Sequence, residues 1–505
     1  MAKSTLAQPK TENVSRPPVV VIMGHIDHGK STLLDYIRKS NVVDGEVGGI
    51  TQKMSAYEVL HKDKKITFLD TPGHESFGAI RARGASAADI AILIVSAEDG
   101  VKPQTVDAYK AIKKANLPYI VGISKIDKDN ANIERAKISL SEHEIYVEGY
   151  GGDISFVPFS GKTGAGIDEL LDMILLTAEV ENFTTDTHAP AEAIVIESHR
   201  DKNRGISATL IIKNGTLSMG SFITAGPALA PVRIMENYLN KPIKSATAGS
   251  PVRIIGWSEL PQVGGYCFTY ESKKDAETFI EQNKEEVKVI NSTGNAPTLD
   301  ANGQETATVS ILIKADTSGS LEALKYEINK LKVERVNLRI IGSGLGDIQE
   351  NDIRMASGKV GTLIIGFSVK ADSAVKTVAE RLGIEIHLFD IIYKMTEWLE
   401  ALAKEKTPRM EVEEQKGQMK VLKIFSVNKD KQVLGCRCES GVINVDDQVK
   451  LMRRGSEIAR GRIRELQQQK NKVGEVTSGE CGLMVDCKME VAPGDYLEAV
   501  HKVIK

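Results

Sequence analysis

The residues with the clearest chemistry lie in one stretch, Val19–Asp35, which reads VVVIMGHIDHGKSTLLD. Five apolar residues run into Gly24-His25-Ile26-Asp27-His28-Gly29-Lys30-Ser31-Thr32, and an amphipathic helical pattern follows. A buried strand, a loop of form G-x-x-x-x-G-K-[ST] and a helix start thus come in the order that phosphate binding requires. Glycines let the backbone wrap closely round a pyrophosphate, and N–H groups at a helix N-terminus point at the anion. In such a loop Lys30 reaches the β- and γ-phosphates and the Ser31 hydroxyl binds Mg²⁺. The spacing predicts a protein that binds a nucleoside triphosphate.

Further groups belong with this loop. Gly45–Gln52 reads GEVGGITQ, a Gly-rich segment without helical or strand periodicity, whose Thr51 is placed to close on Mg²⁺ and the γ-phosphate. The run Ile66–Asp70 is a short buried strand that ends in Asp70 and continues as Thr71-Pro72-Gly73-His74-Glu75. Asp70 is placed to hold Mg²⁺ through a water or through one of its ligands, Gly73 offers an N–H to the γ-phosphate, and His74 orients the attacking water. Ser124-Lys125-Ile126-Asp127 closes another strand. The Asp127 carboxylate can accept both the N1–H and N2–H₂ of guanine, which adenine cannot supply, while the Lys125 stem lies along the base. Ser160-Gly161-Lys162 adds loop N–H groups near the base oxygen.

These groups need a frame. Strand patterns at Ile90–Val95, Tyr119–Ser124 and Ser155–Phe159 alternate with helical ones at Gln104–Ala115, from Ala131, and at Ile167–Leu176. That alternation predicts a doubly wound parallel sheet over residues 16–180, with ligand loops at the carboxyl ends of its strands. The whole chain, 505 residues, suggests about three to four domains. It is 41 % hydrophobic and 26 % charged with a net charge of −3, so any nucleic-acid binding must come from local patches. No apolar run reaches the roughly 18 residues of a membrane span. Five scattered cysteines fit a reduced, cytoplasmic location, and residues 1–15 read as a disordered lead-in without a signal core.

The ordered set GHIDHGKS, GGIT, DTPGHE, SKID and SGK resembles the translational GTPases. GEVGGITQKMSAY and DTPGHESFGAIRARGA are similar to the bacterial translation initiation factor 2 family in particular, here in a short form without a long N-terminal extension. The resemblance implies that Ile26 and Ile50 gate His74 from the γ-phosphate until the ribosome acts, and that Asp27 helps hold a monovalent cation beside the phosphates. The family's base-reading loop begins with Asn where this chain has Ser124, which has less reach and fewer groups. Weaker nucleotide affinity is expected, with guanine choice kept by Asp127.

Residues 186–275 read as strands of about four to eight residues between turn signals, with Asn214-Gly215 as the hairpin signal, hence a small β-barrel. RGISATLIIKNGTLSMG resembles the barrel by which translation factors dock on the small ribosomal subunit. Residues 276–303 read as a charged linker and 304–389 as an α/β layer, in which KADTSGSLEAL and IIGSGLGDIQENDI resemble the family's third domain. Residues 390–406 form a linking helix with Ile391, Ile392, Met395, Trp398, Leu399 and Leu402 on one side, and 409–505 a second β-barrel. Val449–Lys472 of that barrel carries eight Lys and Arg against Glu457 and Glu465, a footprint suited to a phosphate backbone. Its cysteines, Cys436-x-Cys438 and Cys481 with Cys487, lack the usual zinc spacing and read as buried thiols. Cys436 with Gly479-Glu480-Cys481-Gly482 resembles the family's pocket for the formyl-methionine end of initiator tRNA. Gln467-Gln468-Gln469 stands where the family commonly carries a basic–aromatic run.

By resemblance, then, the chain is a GTPase that uses GTP/GDP and Mg²⁺. It brings formylmethionyl initiator tRNA to the small ribosomal subunit and promotes joining of the large one. It works with other initiation factors, as a monomer off the ribosome and away from membranes. The alternatives are a GTP-gated ribosome-binding switch without initiator-tRNA recognition, or a specialised tRNA-carrying elongation GTPase.

Overall fold

The computed structural model describes residues 13–38, 51–282, 307–333, 335–358, 361–406, 411–428, 430–469 and 471–504. Residues 1–12, most of GEVGGITQ including Ile50, the stretch 283–306 and Lys470 lie outside them, with the expectations placed there. The chain divides into two compact units, Met1–Lys406 and Thr407–Lys505.

The first unit begins with a six-stranded sheet: β1 (Val19–Gly24), β2 (Ser55–His61), β3 (Lys64–Asp70), β4 (Ile90–Ser96), β5 (Tyr119–Ser124) and β6 (Phe156–Pro158). Its order is β2-β3-β1-β4-β5-β6, parallel except for the edge strand β2. Every residue of β1 is buried because helices cover both faces. Val19, Val21 and Met23 pack with Ala108 and Ile112 of α3 (Pro103–Lys114). Val20 and Ile22 pack instead with Leu33 and Leu34 of α1 (Lys30–Arg38) and with α5 (Ile167–Glu181). Strand β2 is absent from the sequence reading. Its hairpin turns through Lys62 and Asp63, both at positive φ (47° and 61°), a conformation usually announced by Asn-Gly. Helix α2 (Gly78–Ala87) was also not foreseen, since its small residues make no apolar stripe.

The second sheet is seven antiparallel strands, whose inner face gathers Val195, Leu210, Ile212, Ile223, Val252 and Ile254. The Asn214-Gly215 hairpin is corrected here. Strand Gly205–Asn214 pairs with Glu192–Asp201 and Pro251–Ile255, whereas Thr216–Ser218 crosses to Ser245–Thr247 in another sheet. Asn214 Oδ1 instead accepts from Thr185 Oγ1 (2.9 Å), and at Gly215 a Cβ would strike the Ala189 and Pro190 carbonyl oxygens at 2.5 Å. Helix α6 (Lys273–Gln282) opens the stretch read as linker.

The third layer has four parallel strands, in the order Val336–Leu345, Ala307–Ala315, Thr362–Phe367 and Glu385–Phe389. Helices α7 (Ser318–Lys330), α8 (Glu350–Ser357) and α9 (Ser373–Arg381) join them. Helix α10 (Ile392–Glu405) buries Ile392, Met395, Leu399 and Ala403 in the core that holds Val309, Ile311 and Ile313.

In the second unit six strands close on themselves in the order Gln448–Arg453, Tyr496–Ile504, Glu411–Asn428, Lys431–Gly441, Gly479–Cys487, Ser456–Gln468 and back to the first. Closure removes exposed sheet edges. Two strands reach 18 and 13 residues, longer than the short patterns expected. Register shifts such as those after Gln418 and Ile463 break the in–out alternation that would have marked them as continuous. Among the described residues no helix is long and apolar enough to cross a membrane.

Candidate functional site

A cavity of about 340 Å³ opens at the carboxyl ends of the first sheet. Ile26, Asp27, Gly29, Lys30, Ser31, Thr32, Thr51, Gly73, His74, Ser124, Lys125, Asp127, Gly161 and Lys162 all line it. Residues from five separate stretches of the chain therefore converge on one cavity. Gly24, His25, His28, Asp70, Thr71, Pro72 and Ser160 adjoin these residues in the chain without lining the cavity. At Gly24 (φ 150°) a Cβ would come within 2.5 Å of Ile94 O, so β1 can turn into the loop only through glycine.

The Lys30 amine is buried and donates to Gly24 O (3.0 Å) and His25 O (2.5 Å), folding the loop around itself. Burial lowers its pKa to about 8, against the attraction of Asp70, which is itself buried at the end of β3. A Cβ on Gly73 would sit 2.7 Å from this amine. Ser31 Oγ lies 3.1 Å from Thr51 Oγ1. Adjacent ligands of an octahedral Mg²⁺, with oxygens at 2.0–2.1 Å, stand about 2.9 Å apart, so this hydroxyl pair fits the ion. His28, 1 % exposed, is kept neutral by burial, which lowers its pKa to about 3.

Thr71 Oγ1 donates to Ile22 O (2.8 Å), fixing the next segment to β1. Arg81 is a residue that sequence reasoning missed. Buried in α2, it donates to Pro72 O and Gly73 O (3.2 Å each) and to His74 O. With the Pro72 carbonyl held on one side, the trans peptide turns the Gly73 N–H to the other. The His74 ring meets Tyr393 of α10 edge-on at 4.4 Å, and burial lowers its pKa. Gln52, next to Thr51, donates to Asp390 O (2.9 Å) and accepts from Ile392 N (3.2 Å), while Glu75 pairs with Lys330 (2.9 Å) and Tyr326 (2.8 Å) of α7. Such partners more than 250 residues away leave no local spacing to read.

In the loop after β6, Ser160 Oγ donates to Asp127 Oδ1 (2.6 Å) and accepts from Thr163 N (3.1 Å). The Ser160 hydrogen bond lowers the Asp127 pKa and keeps the carboxylate ionised. Lys125 Nζ pairs with Glu98 (3.2 Å). Ser124 Oγ donates to His28 O (2.5 Å), tying the loop after β5 to the loop after β1. Ser124→Ala strands that buried carbonyl at a cost of about 1–3 kcal/mol. The expected result is nucleotide affinity about five- to hundredfold lower, read by titration of a fluorescent guanine nucleotide.

In the closed barrel, Cys436 faces Cys481 across neighbouring strands, with Gly435 opposite Gly482, Arg437 opposite Glu480 and Cys438 opposite Gly479. The five pocket residues thus share one ladder but not one face. The Cys436 and Cys481 thiols point into the core, 1 % and 6 % exposed, and burial pushes them up to about 12 and 11. Glu480 points outward and pairs with Arg437 (2.7 Å). Among the described residues no cluster of three or more His, Cys, Asp or Glu is gathered for a metal. Acidic partners meet much of the basic run. Arg453 pairs with Asp495 (2.8 Å), Arg460 with Glu457 (2.7 Å), Arg462 with Asp446 and Arg464 with Asp486 (3.2 Å each), and Lys472 with Glu465 (3.1 Å). Asp446, Asp486 and Asp495 lie outside the segment, so its own composition overstated its free positive charge.

Three family models match the chain: Elongation factor Tu GTP binding domain over residues 16–179, Elongation factor G domain 2 over 190–268, and Translation-initiation factor 2 over 280–400. Among solved structures, GDP-bound aIF5B from Aeropyrum pernix is 24 % identical with a TM-score of 0.46, covering 96 % of this chain and 92 % of that one. Translation initiation factor IF-2 of Lachnospira eligens is 40 % identical over 97 % of this chain and 53 % of its own length. That of Anoxybacillus flavithermus is 42 % identical over 96 % of this chain and 68 % of its own. That of Halothermothrix orenii is 42 % identical over 96 % of this chain and 71 % of its own. On likeness at this level over nearly all of this chain, together with the cavity described above, the chain belongs to the translation initiation factor IF-2 family of GTP-binding proteins.

Proposed function

We propose that this chain brings formylmethionyl initiator tRNA to the small ribosomal subunit under GTP, promotes subunit joining, and hydrolyses GTP when the ribosome activates it. The observation that carries the reading is the convergence of Lys30, the Ser31–Thr51 hydroxyl pair, Gly73 and His74 in one cavity. Lys30 and the loop N–H groups hold the phosphates, Ser31 and Thr51 hold Mg²⁺ with Asp70 behind them, and Asp127 reads guanine. Mg²⁺ supplies neutralisation of charge on the phosphate oxygens. His74, neutral in its buried setting, orients the attacking water, and the Gly73 N–H meets the γ-phosphate. Among the described residues lining the cavity there is no arginine, so intrinsic hydrolysis is slow and the ribosome accelerates it. Asp27, at φ 61° in the cavity wall, would help to hold a monovalent cation beside the phosphates.

The test is binding of initiator tRNA to small subunits by the full chain with GTP, using formylated and unformylated methionyl-tRNA. A preference of about tenfold or more for the formylated form supports the reading. Equal or absent binding, with ribosome-stimulated hydrolysis intact, favours the second reading, a GTP-gated ribosome switch. The inward thiols and the Arg437–Glu480 pair are its support.

A further inference from the structure

Around the water-orienting histidine, protein groups continue outward in a line. His74 Nδ1 contacts Ser76 Oγ, and Ser76 Oγ donates to Glu327 Oε1 at 2.5 Å. Ser76 and Glu327 are 5 % and 6 % exposed, so solvent does not replace these bonds. Glu327 belongs to α7 of the third layer, 251 residues further along the chain than Ser76.

The direction of the protons follows from what each group can do. An ionised carboxylate only accepts, so the Ser76 hydroxyl spends its one hydrogen on Glu327. The oxygen then faces Nδ1 as an acceptor, and the proton between them must be carried by Nδ1. A neutral imidazole protonated at Nδ1 presents a bare Nε2 lone pair, the form needed to accept a hydrogen from water. A competing bond makes the role of Glu327 specific. The Ser76 backbone N–H also lies 3.2 Å from Nδ1, and it favours the opposite tautomer. Without a carboxylate at position 327 the hydroxyl would swing to Nδ1 as well, and the proton would move to Nε2. The edge-on ring of Tyr393 holds the imidazole plane while this choice is made.

We propose that Ser76 and Glu327 are positioning residues that set the tautomer of His74, which makes the third layer part of the hydrolytic site. The proposal rests on the reading of His74 as the group that orients water. Where a carboxylate fixes the tautomer of an active-site histidine, its loss costs up to about 10⁴ in rate. Here the histidine orients water without forming a covalent intermediate, so a smaller loss, about ten- to hundredfold, is expected.

The experiment uses the full chain labelled with ¹⁵N-histidine, with the His74 resonances assigned by their loss in His74→Ala. In the wild-type chain the nitrogen shifts should report Nδ1 protonated. Glu327→Ala and Ser76→Ala should move the proton to Nε2 and slow ribosome-stimulated single-turnover hydrolysis about ten- to hundredfold, with GTP affinity within about twofold of wild type. Glu327→Gln, whose amide oxygen can still accept from Ser76, should keep both tautomer and rate. An Nε2-protonated His74 in the wild-type chain overturns the proposal, as does an unchanged tautomer in Glu327→Ala and Ser76→Ala. Full hydrolysis in His74→Ala would instead remove the reading of His74 itself, whatever the tautomer.

Discussion

The full chain carrying Lys30→Ala is expected to bind GTP at least about thirtyfold more weakly than the unsubstituted chain. The amine is buried, and among the described residues it donates to two loop carbonyls, Gly24 O and His25 O. Those carbonyls are partial charges, whereas a triphosphate offers full ones. Truncating one partner of a buried, hydrogen-bonded charge pair costs about 2–5 kcal/mol, and about 1.4 kcal/mol is tenfold. A pH signature separates this from a merely loosened loop. Burial has lowered the free amine to about pH 8, so above that value the empty site has lost its proton and phosphate binding must restore it. Affinity should therefore be flat below about pH 8 and fall by up to tenfold per unit above it. Calorimetric titration from pH 7 to 9 should show that break in the unsubstituted chain and no break in Lys30→Ala. A variant with the same break would show that another group titrates.

Much of this site could be read from the sequence because phosphate chemistry is local. Gly24, Gly29, Lys30 and Ser31 act through consecutive backbone, so their spacing is their geometry. Asp127 and Ser160 were each legible as strand-end loops, although the 2.6 Å bond between them was not. What stayed hidden is whatever needs two distant pieces of chain. Arg81 looks like one cation in GAIRARGASA, and only the fold turns it onto the carbonyls of Pro72, Gly73 and His74. Gln52 meets α10, and Ser76 meets Glu327, through an arrangement of layers that no periodicity encodes. The same limit bears on two other readings. Asn214-Gly215 has the composition of a hairpin but connects two sheets, and the basic run of the last barrel meets acids supplied by other strands.

Asp89→Ala is expected to cost about 3–5 kcal/mol of stability. Asp89 is 7 % exposed at the start of β4. Arg16 grips it with two bonds (2.5 and 2.9 Å), Lys213 of the second sheet donates to it at 2.5 Å, and Val19 N closes the set at 2.9 Å. One carboxylate thus joins the chain before β1, the first sheet and the second sheet. Removing it leaves two cations facing each other where burial already lowers the Lys213 pKa. The cost comes from those uncompensated charges more than from the lost bonds. Asp89→Asn keeps the shape and an acceptor but not the charge, and should lose less. Burial alone would raise the Asp89 pKa, but the Arg16 hydrogen bond and the Lys213 charge outweigh it, so the folded value lies below the unfolded one. For a depressed carboxylate the stabilisation is complete above the unfolded pKa, about 4, and is lost as pH falls through the lower folded value. Urea unfolding should accordingly show a gap between the unsubstituted chain and Asp89→Asn that is constant from about pH 5 to 7. The gap should narrow below about pH 4. A gap that stayed constant to pH 2, or widened, would mean that the carboxylate contributes through shape alone.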